Sequence, residues 1–136
     1  MTFILGNIND RSVLVLDDFY FDVQALSNGA LSSDPMDALG NCDLLHRLSG
    51  LLKDATPTGR VTAETIGAAV PRPKNCFAIG LNYKSHAEES KMQLPTNPLV
   101  FTKFPSCLVG PSSDIDMRSD GVDYEVELVV VIGVGG

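Results

Sequence analysis

The 136-residue sequence predicts an α+β fold, and three features carry that expectation. Residues 3–6 and 11–23 are apolar runs rich in aromatic and β-branched side chains, divided by the turn-forming stretch 6–11. Leu44, Leu45, Leu48, Leu51 and Leu52 recur at the spacing of one helix face. Residues 122–133, VDYEVELVVVIG, alternate as a strand does, with successive side chains on opposite faces.

Taken in order, the two N-terminal runs read as a hairpin or short meander. The stretch SSDP at 32–35 supplies N-cap candidates, with Pro35 at a tolerated first-turn position of a helix. The leucine stripe begins after Gly40, and His46 lies just off it beside Arg47, where it reads as a surface or satisfied core residue. Residues 57–75 are broken by proline and glycine. Pro71-Arg72-Pro73 marks the expected boundary, because proline fixes its own backbone and pushes the preceding residue out of the helical region. This gives a small α+β domain over 1–70 and a second domain over 71–136. Beyond the boundary, CFAIG (76–80) reads as a short buried strand and LNYKSHAEES (81–90) as a polar helical turn. PTNP (95–98) is a loop, LVFTKF (99–104) a strand, and 105–121 mostly loop.

Composition excludes several classes. Hydrophobic residues make up 44% and charged residues 20%, which is globular rather than disordered material. Seventeen acids against ten bases leave a net charge of −7, and there is no basic run, so a nucleic-acid partner is not expected. No apolar stretch reaches the length of a membrane span. The N-terminus lacks the basic flank and long apolar run of a signal peptide, so the expected compartment is the cytoplasm. Cys42, Cys76 and Cys107 are widely spaced and form no C-x-x-C, which excludes zinc ribbons and redox pairs; they read as buried thiols.

Two groups of residues carry possible chemistry. In the strand read at 122–133, Asp123, Glu125 and Glu127 share a face that continues as Val129 and Val131, while Tyr124, Val126, Leu128, Val130 and Ile132 would form core on the other side. The acids are either a solvated edge or ligands of a hard divalent cation such as Mg²⁺, Mn²⁺ or Ca²⁺, which would relieve their mutual repulsion. In the polar turn, His86 and Glu89 are three residues apart and share one face of a helical turn. A carboxylate beside an imidazole fixes its tautomer and raises its basicity, as removal of a proton from water requires. The alternative is a surface turn in which Lys84, His86, Glu88 and Glu89 make ordinary ion pairs.

The ordered set IGLNYKSHAEE, PLVFTKFPSCLVGP and VDYEVELVVVIG, within residues 73–133, resembles the fumarylacetoacetate hydrolase family. The resemblance implies a mixed β-sheet roll with short flanking helices, preceded by the small α+β domain. It implies that Glu125 and Glu127 bind Mg²⁺ (or Mn²⁺ or Ca²⁺), that His86 and Glu89 activate water, and that Lys103 contacts substrate. Asp123 becomes a supporting acid, and Phe104 stands where relatives commonly have proline. The implied substrates are short 2-oxo or β-diketo acids, undergoing carbon–carbon cleavage, decarboxylation or isomerisation, in a protein that is commonly a homodimer. Relatives carry a third metal ligand, an aspartate farther along than this sequence extends. The expectation is therefore a fragment, inactive when isolated; the alternative is a truncated remnant that associates, through its open strand edge, with a full-length relative.

Overall fold

The structure, a computed structural model, describes residues 3–122 and 124–133. The chain folds as two compact units: residues up to Pro71 together with those from Val109 onward, and Arg72–Leu108.

The first unit is built on an antiparallel sheet of β1 (Ile4–Ile8), β2 (Arg11–Leu16), β3 (Phe19–Asp22), β4 (Gly59–Arg60) and β5 (Ile66–Gly67), in the order β4-β3-β2-β1-β5. Asn9 and Asp10 join β1 to β2 with φ of 51° and 59°. A two-residue hairpin turn whose twist suits the strands needs both central residues in the left-handed region, and short polar side chains tolerate it. The run 11–23 is two strands, because Asp17, at φ 53°, turns the chain back before β3. The expected meander forms, one turn richer than the sequence suggests.

Register places Leu5 opposite Leu14 and Leu14 opposite Phe21, so these side chains share one face. Leu14, Phe21, Val23, Leu31, Leu45, Leu48 and Leu52 form the buried core there, flanked by Phe3, Leu5, Leu16, Leu26, Leu44 and Ala55. Each fully buried Leu or Phe contributes about 1.5–3 kcal/mol through loss of apolar surface from water.

Among the described residues, three short helices cover this unit: α1 (Val23–Leu26), α2 (Pro35–Leu39) and α3 (Cys42–Ser49). Asp34 caps α2, accepting from the Met36 N–H at 2.8 Å, with Pro35 in the first turn as its fixed φ allows. The leucine stripe outruns its helix. α3 stops at Gly50; Leu45 and Leu48 face the core from the helix, Leu52 reaches it from the turn that follows, and Leu51 is half exposed. His46 stands edge-on to Phe3 at 4.8 Å between ring centroids.

The main ionic contact ties the sheet to α1. The Arg11 Nε–H donates to Asp22 Oδ2 at 2.6 Å, and its guanidinium also donates to Gln24 Oε1 at 3.1 Å. Asp22 Oδ1 accepts from the Ala25 N–H at 2.9 Å and so caps α1. Burial alone would push the Asp22 carboxyl up. The Arg11 guanidinium and the Ala25 and Gln24 N–H groups outweigh it, and hold the carboxyl below its ordinary value.

The second unit contains β6 (Phe77–Gly80), α4 (Lys84–Glu89), β7 (Leu99–Thr102) and a 3₁₀ turn, Pro105–Cys107. β6 and β7 pair antiparallel, Phe77 opposite Thr102 and Gly80 opposite Leu99. CFAIG does make its strand, but the strand is not buried: Phe77 is 64% exposed and Ile79 43%.

Two further expectations are corrected. Residues 124–133 form no strand, and Tyr124, Val126, Leu128, Val130 and Ile132, expected in a core, are all exposed. A strand is held by its ladder to a neighbour, and among the described residues no strand forms a ladder with this segment. Asp123 lies outside the described residues. The cysteines were expected to be buried, yet Cys42 and Cys107 are exposed and Cys76 is intermediate. Cys42 opens α3 on its solvent side, where its thiol lies 3.6 Å from the Leu39 carbonyl oxygen.

Candidate functional site

Each candidate residue is placed by its own local structure. In the second unit, the chain leaves β6 at Gly80, where an added Cβ would come within 3.0 Å of the Leu99 side chain. Leu81 then takes φ 51°, and the chain enters α4 at Tyr83. α4 is anchored by one residue, Ala87, 1% exposed, while His86, Glu88 and Glu89 stand in solvent. The helix closes with the Ser90 hydroxyl donating to the His86 carbonyl at 2.7 Å and the Met92 N–H to the Ala87 carbonyl at 2.9 Å. His86 and Glu89 sit three residues apart on this helix, the spacing of side-chain neighbours on one face. Lys84 pairs with Glu88 at 3.6 Å, so α4 also carries one of the ordinary surface ion pairs foreseen for it.

Lys103 directly follows β7. Its N–H donates to the Cys76 carbonyl at 2.9 Å, which extends the β6–β7 ladder by one rung. Lys103 is thus at the opposite end of the hairpin from Gly80, which leads toward α4. Its side chain is exposed.

Glu125 and Glu127 belong to the first unit, at alternate positions of the segment 124–133, and both are exposed. Their carboxylates are hard oxygen donors, the kind that Mg²⁺, Mn²⁺ and Ca²⁺ select, and Mg²⁺ is commonly held by one or two carboxylates with waters filling the rest. The pair therefore fits such an ion in kind. Among the described residues no three His, Cys, Asp or Glu side chains gather into a group that could hold a metal.

Two depressions in the first unit, one lined by Ala63, Glu64, Ile66, Ser112 and Ser113, the other by Phe21, Asp22, Ala25, Leu26, Ala55, Thr56 and Thr58, contain none of the candidate residues. The sequence pattern gives no sign of the pairing of Arg11 with Asp22, in which the guanidinium helps hold the carboxyl below its ordinary value. Their meeting depends on the β2–β3 register, which sets Asp22 opposite Val13, two residues along β2 from Arg11.

These elements define a mixed helix-and-strand protein, and the candidate side chains His86, Glu89, Lys103, Glu125 and Glu127 lie in the C-terminal half of its sequence. Residues 75–135 match the family described as fumarylacetoacetate (FAA) hydrolase C-terminal, the stretch that holds the ordered motifs. It is similar to the fumarylacetoacetate hydrolase domain-containing protein 2 homolog of Dictyostelium discoideum: 49% identical over 77 residues, covering 54% of this chain and 25% of that protein. It is also similar to oxaloacetate tautomerase Fahd2a, mitochondrial, of Rattus norvegicus, at 45% identity over 74 residues, covering 53% of this chain and 24% of the relative. Among solved structures, a Mycobacterium smegmatis protein described as HpcE superposes with a TM-score of 0.69 at 34% identity, over 85% of this chain and 40% of that one. The chain thus spans about a quarter of the length of these curated relatives. No helix among the described residues is long and apolar enough to cross a membrane.

Proposed function

We propose that this chain supplies part of the active centre of a fumarylacetoacetate hydrolase-family enzyme acting on a small oxo acid by hydrolysis or isomerisation. The observation that carries this reading is the match over residues 75–135, which contains His86, Glu89, Lys103, Glu125 and Glu127. The rat relative's name, oxaloacetate tautomerase, favours proton movement next to a 2-oxo group as one outcome.

In this reading the Glu125 and Glu127 carboxylates hold a Mg²⁺ or Mn²⁺ ion. When bound, the ion supplies Lewis-acid polarisation of a chelated oxo acid. The His86 imidazole takes or returns a proton at one ring nitrogen, and Glu89 holds the ring in one tautomer and stabilises the imidazolium once formed. Lys103 offers a fixed positive charge to a substrate carboxylate. In this reading these groups stand on a mixed β-sheet roll, and two copies form a homodimer.

Isothermal titration with Mg²⁺ or Mn²⁺, paired with ultraviolet assays of oxaloacetate tautomerisation and of hydrolysis of a β-diketo acid, tests the reading on this chain supplied with the rest of the family's fold. Glu125→Gln with Glu127→Gln is expected to abolish ion binding, and His86→Ala to lower kcat by about 10²–10⁴-fold with ion binding retained. Turnover unaffected by both changes would remove these residues from the mechanism.

A further inference from the structure

Among the described residues, six that are not glycine have a positive φ. The four in the first unit are Asn9, Asp10, Asp17 and Asn28, whose short polar side chains tolerate the left-handed region. The two in the second unit are Leu81, at φ 51°, and Lys91, at φ 56°. Neither is of the tolerant kind, and together they bracket α4 (Lys84–Glu89).

Two helix ends make the contrast direct. α1 and α4 close with the same pair of backbone bonds. At α1, the Gly29 N–H donates to the Gln24 carbonyl at 2.8 Å and the Asn28 N–H to the Ala25 carbonyl at 3.1 Å. At α4, the Met92 N–H donates to the Ala87 carbonyl at 2.9 Å and the Lys91 N–H to the Glu88 carbonyl at 3.2 Å. This closure needs one left-handed residue, ordinarily glycine or asparagine. α1 supplies Asn28, whereas α4 supplies a lysine. At the other end of α4, Gly80 makes the last rung of the β6–β7 ladder, opposite Leu99. Leu81 then turns the chain, and the helix starts at Tyr83 without a side-chain cap.

Residues held in a costly backbone conformation persist where the surroundings over-determine them, and they gather where function fixes geometry. Little else holds α4. Its six residues are too few for a helix to stand by itself, and one of its side chains, Ala87, is buried. The N–H and the hydroxyl of Ser90 both donate to the His86 carbonyl, at 3.0 Å and 2.7 Å, so the closure at Lys91 acts on the backbone of His86 itself.

We propose that Leu81 and Lys91 are positioning residues: their left-handed backbones fix the entry and exit of α4, and so set the direction in which the β6–β7 hairpin presents His86 and Glu89. The use made of that direction rests on the catalytic reading above.

The test exploits a reversal of rank. If the Leu81 side chain mattered for packing, Val would replace it better than Asn; if its left-handed backbone matters, Asn replaces it well and β-branched Val does not. The full 136-residue chain is compared with its Leu81→Asn, Leu81→Val, Lys91→Gly and Lys91→Val variants by nuclear magnetic resonance. Residual dipolar couplings of the Lys84–Glu89 N–H groups, set against those of Phe77–Gly80, read the direction of the helix, and Cα shifts read whether it persists. The Asn and Gly variants are expected to keep the parent couplings. Both Val variants are expected to shift or lose them, while the couplings of β2 and β3 in the first unit stay as they were. In the turnover assay above, Leu81→Val lowers kcat by about tenfold or more with KM unchanged, and Leu81→Asn restores kcat. Parent couplings in the Val variants, or couplings lost equally in the Asn and Gly variants, would overturn the inference. Couplings that rank as expected in a protein whose turnover is indifferent to His86→Ala uphold the positioning of α4 and remove the catalytic reading. Turnover lost in His86→Ala but untouched, along with the couplings, in Leu81→Val does the reverse.

Discussion

The β2–β3 hairpin of the first unit and the β6–β7 hairpin of the second are written in the same local language: short runs of aliphatic and aromatic residues in antiparallel register. They end in opposite conditions. Leu14 and Phe21 are 0% and 3% exposed, whereas Phe77 and Val100 are 64% and 54%. The difference lies in what faces them. α3 and the turn after it bring Leu45, Leu48 and Leu52 onto the first hairpin. In the second unit α4 anchors a single small side chain, Ala87. Strand formation follows local sequence; burial follows the arrival of a second layer.

The sharpest way to break this contrast is to hollow out the first unit. Leu45→Ala is expected to cost about 2–5 kcal/mol, because a buried leucine leaves a cavity that its neighbours only partly fill. Phe77→Ala, at an exposed position, is expected to change stability by no more than about 0.5 kcal/mol. Chemical denaturation of both variants reads the gap, and equal losses would mean that the β6–β7 hairpin is as well covered as β2–β3.

Next in size is the electrostatic joint of the first unit. Asp22→Ala removes a helix cap and the buried partner of Arg11, and is expected to cost about 1–3 kcal/mol by denaturant melt; Asp22→Asn, which can still cap, should cost less. The same carboxyl gives a pH signature. Its folded value lies below the ordinary 3.8, so its contribution is complete above about that pH and is lost as pH falls through the folded value. Melting temperatures from pH 6 down should drop more steeply for the wild type than for Asp22→Asn below about pH 4.

The smallest expected effect has the opposite sign. Ser12 is fully buried on β2, and its hydroxyl has no hydrogen-bond partner among the described residues. Ser12→Ala is expected to be neutral or to stabilise by up to about 1 kcal/mol, since it deletes an unsatisfied polar group without opening a large cavity. A clear loss of stability would show that the Ser12 hydroxyl is in fact satisfied.

Much of the first unit can be read without coordinates. The turn at Asn9–Asp10, the Asp34–Pro35 helix start and the leucine stripe are signals carried within a few residues of one another. The turn at Asp17 is hidden inside a long apolar run, where two adjacent aspartates are its only mark. The small strands Gly59–Arg60 and Ile66–Gly67 are hidden as well, because they exist only by pairing with β3 and β1. The family and its candidate residues are legible as an ordered set of motifs, and the match over 75–135 bears the family out. The strand expected at 122–133 is the largest departure. Its alternation is genuine, but alternation describes a strand's two faces and says nothing of whether a neighbour is present to complete the ladder.

By itself, then, the sequence determined the local elements of this chain: its turns, its caps, its amphipathic helix and the motifs of its family. These depend on dihedral preferences and side-chain spacing over a few residues. Tertiary structure alone decided which apolar rows are covered, that Arg11 meets Asp22, and that 124–133 joins no sheet among the described residues. Those outcomes turn on long-range pairing, in which a hydrogen bond or a buried surface has value only when a distant part of the chain, or another chain, supplies its other half.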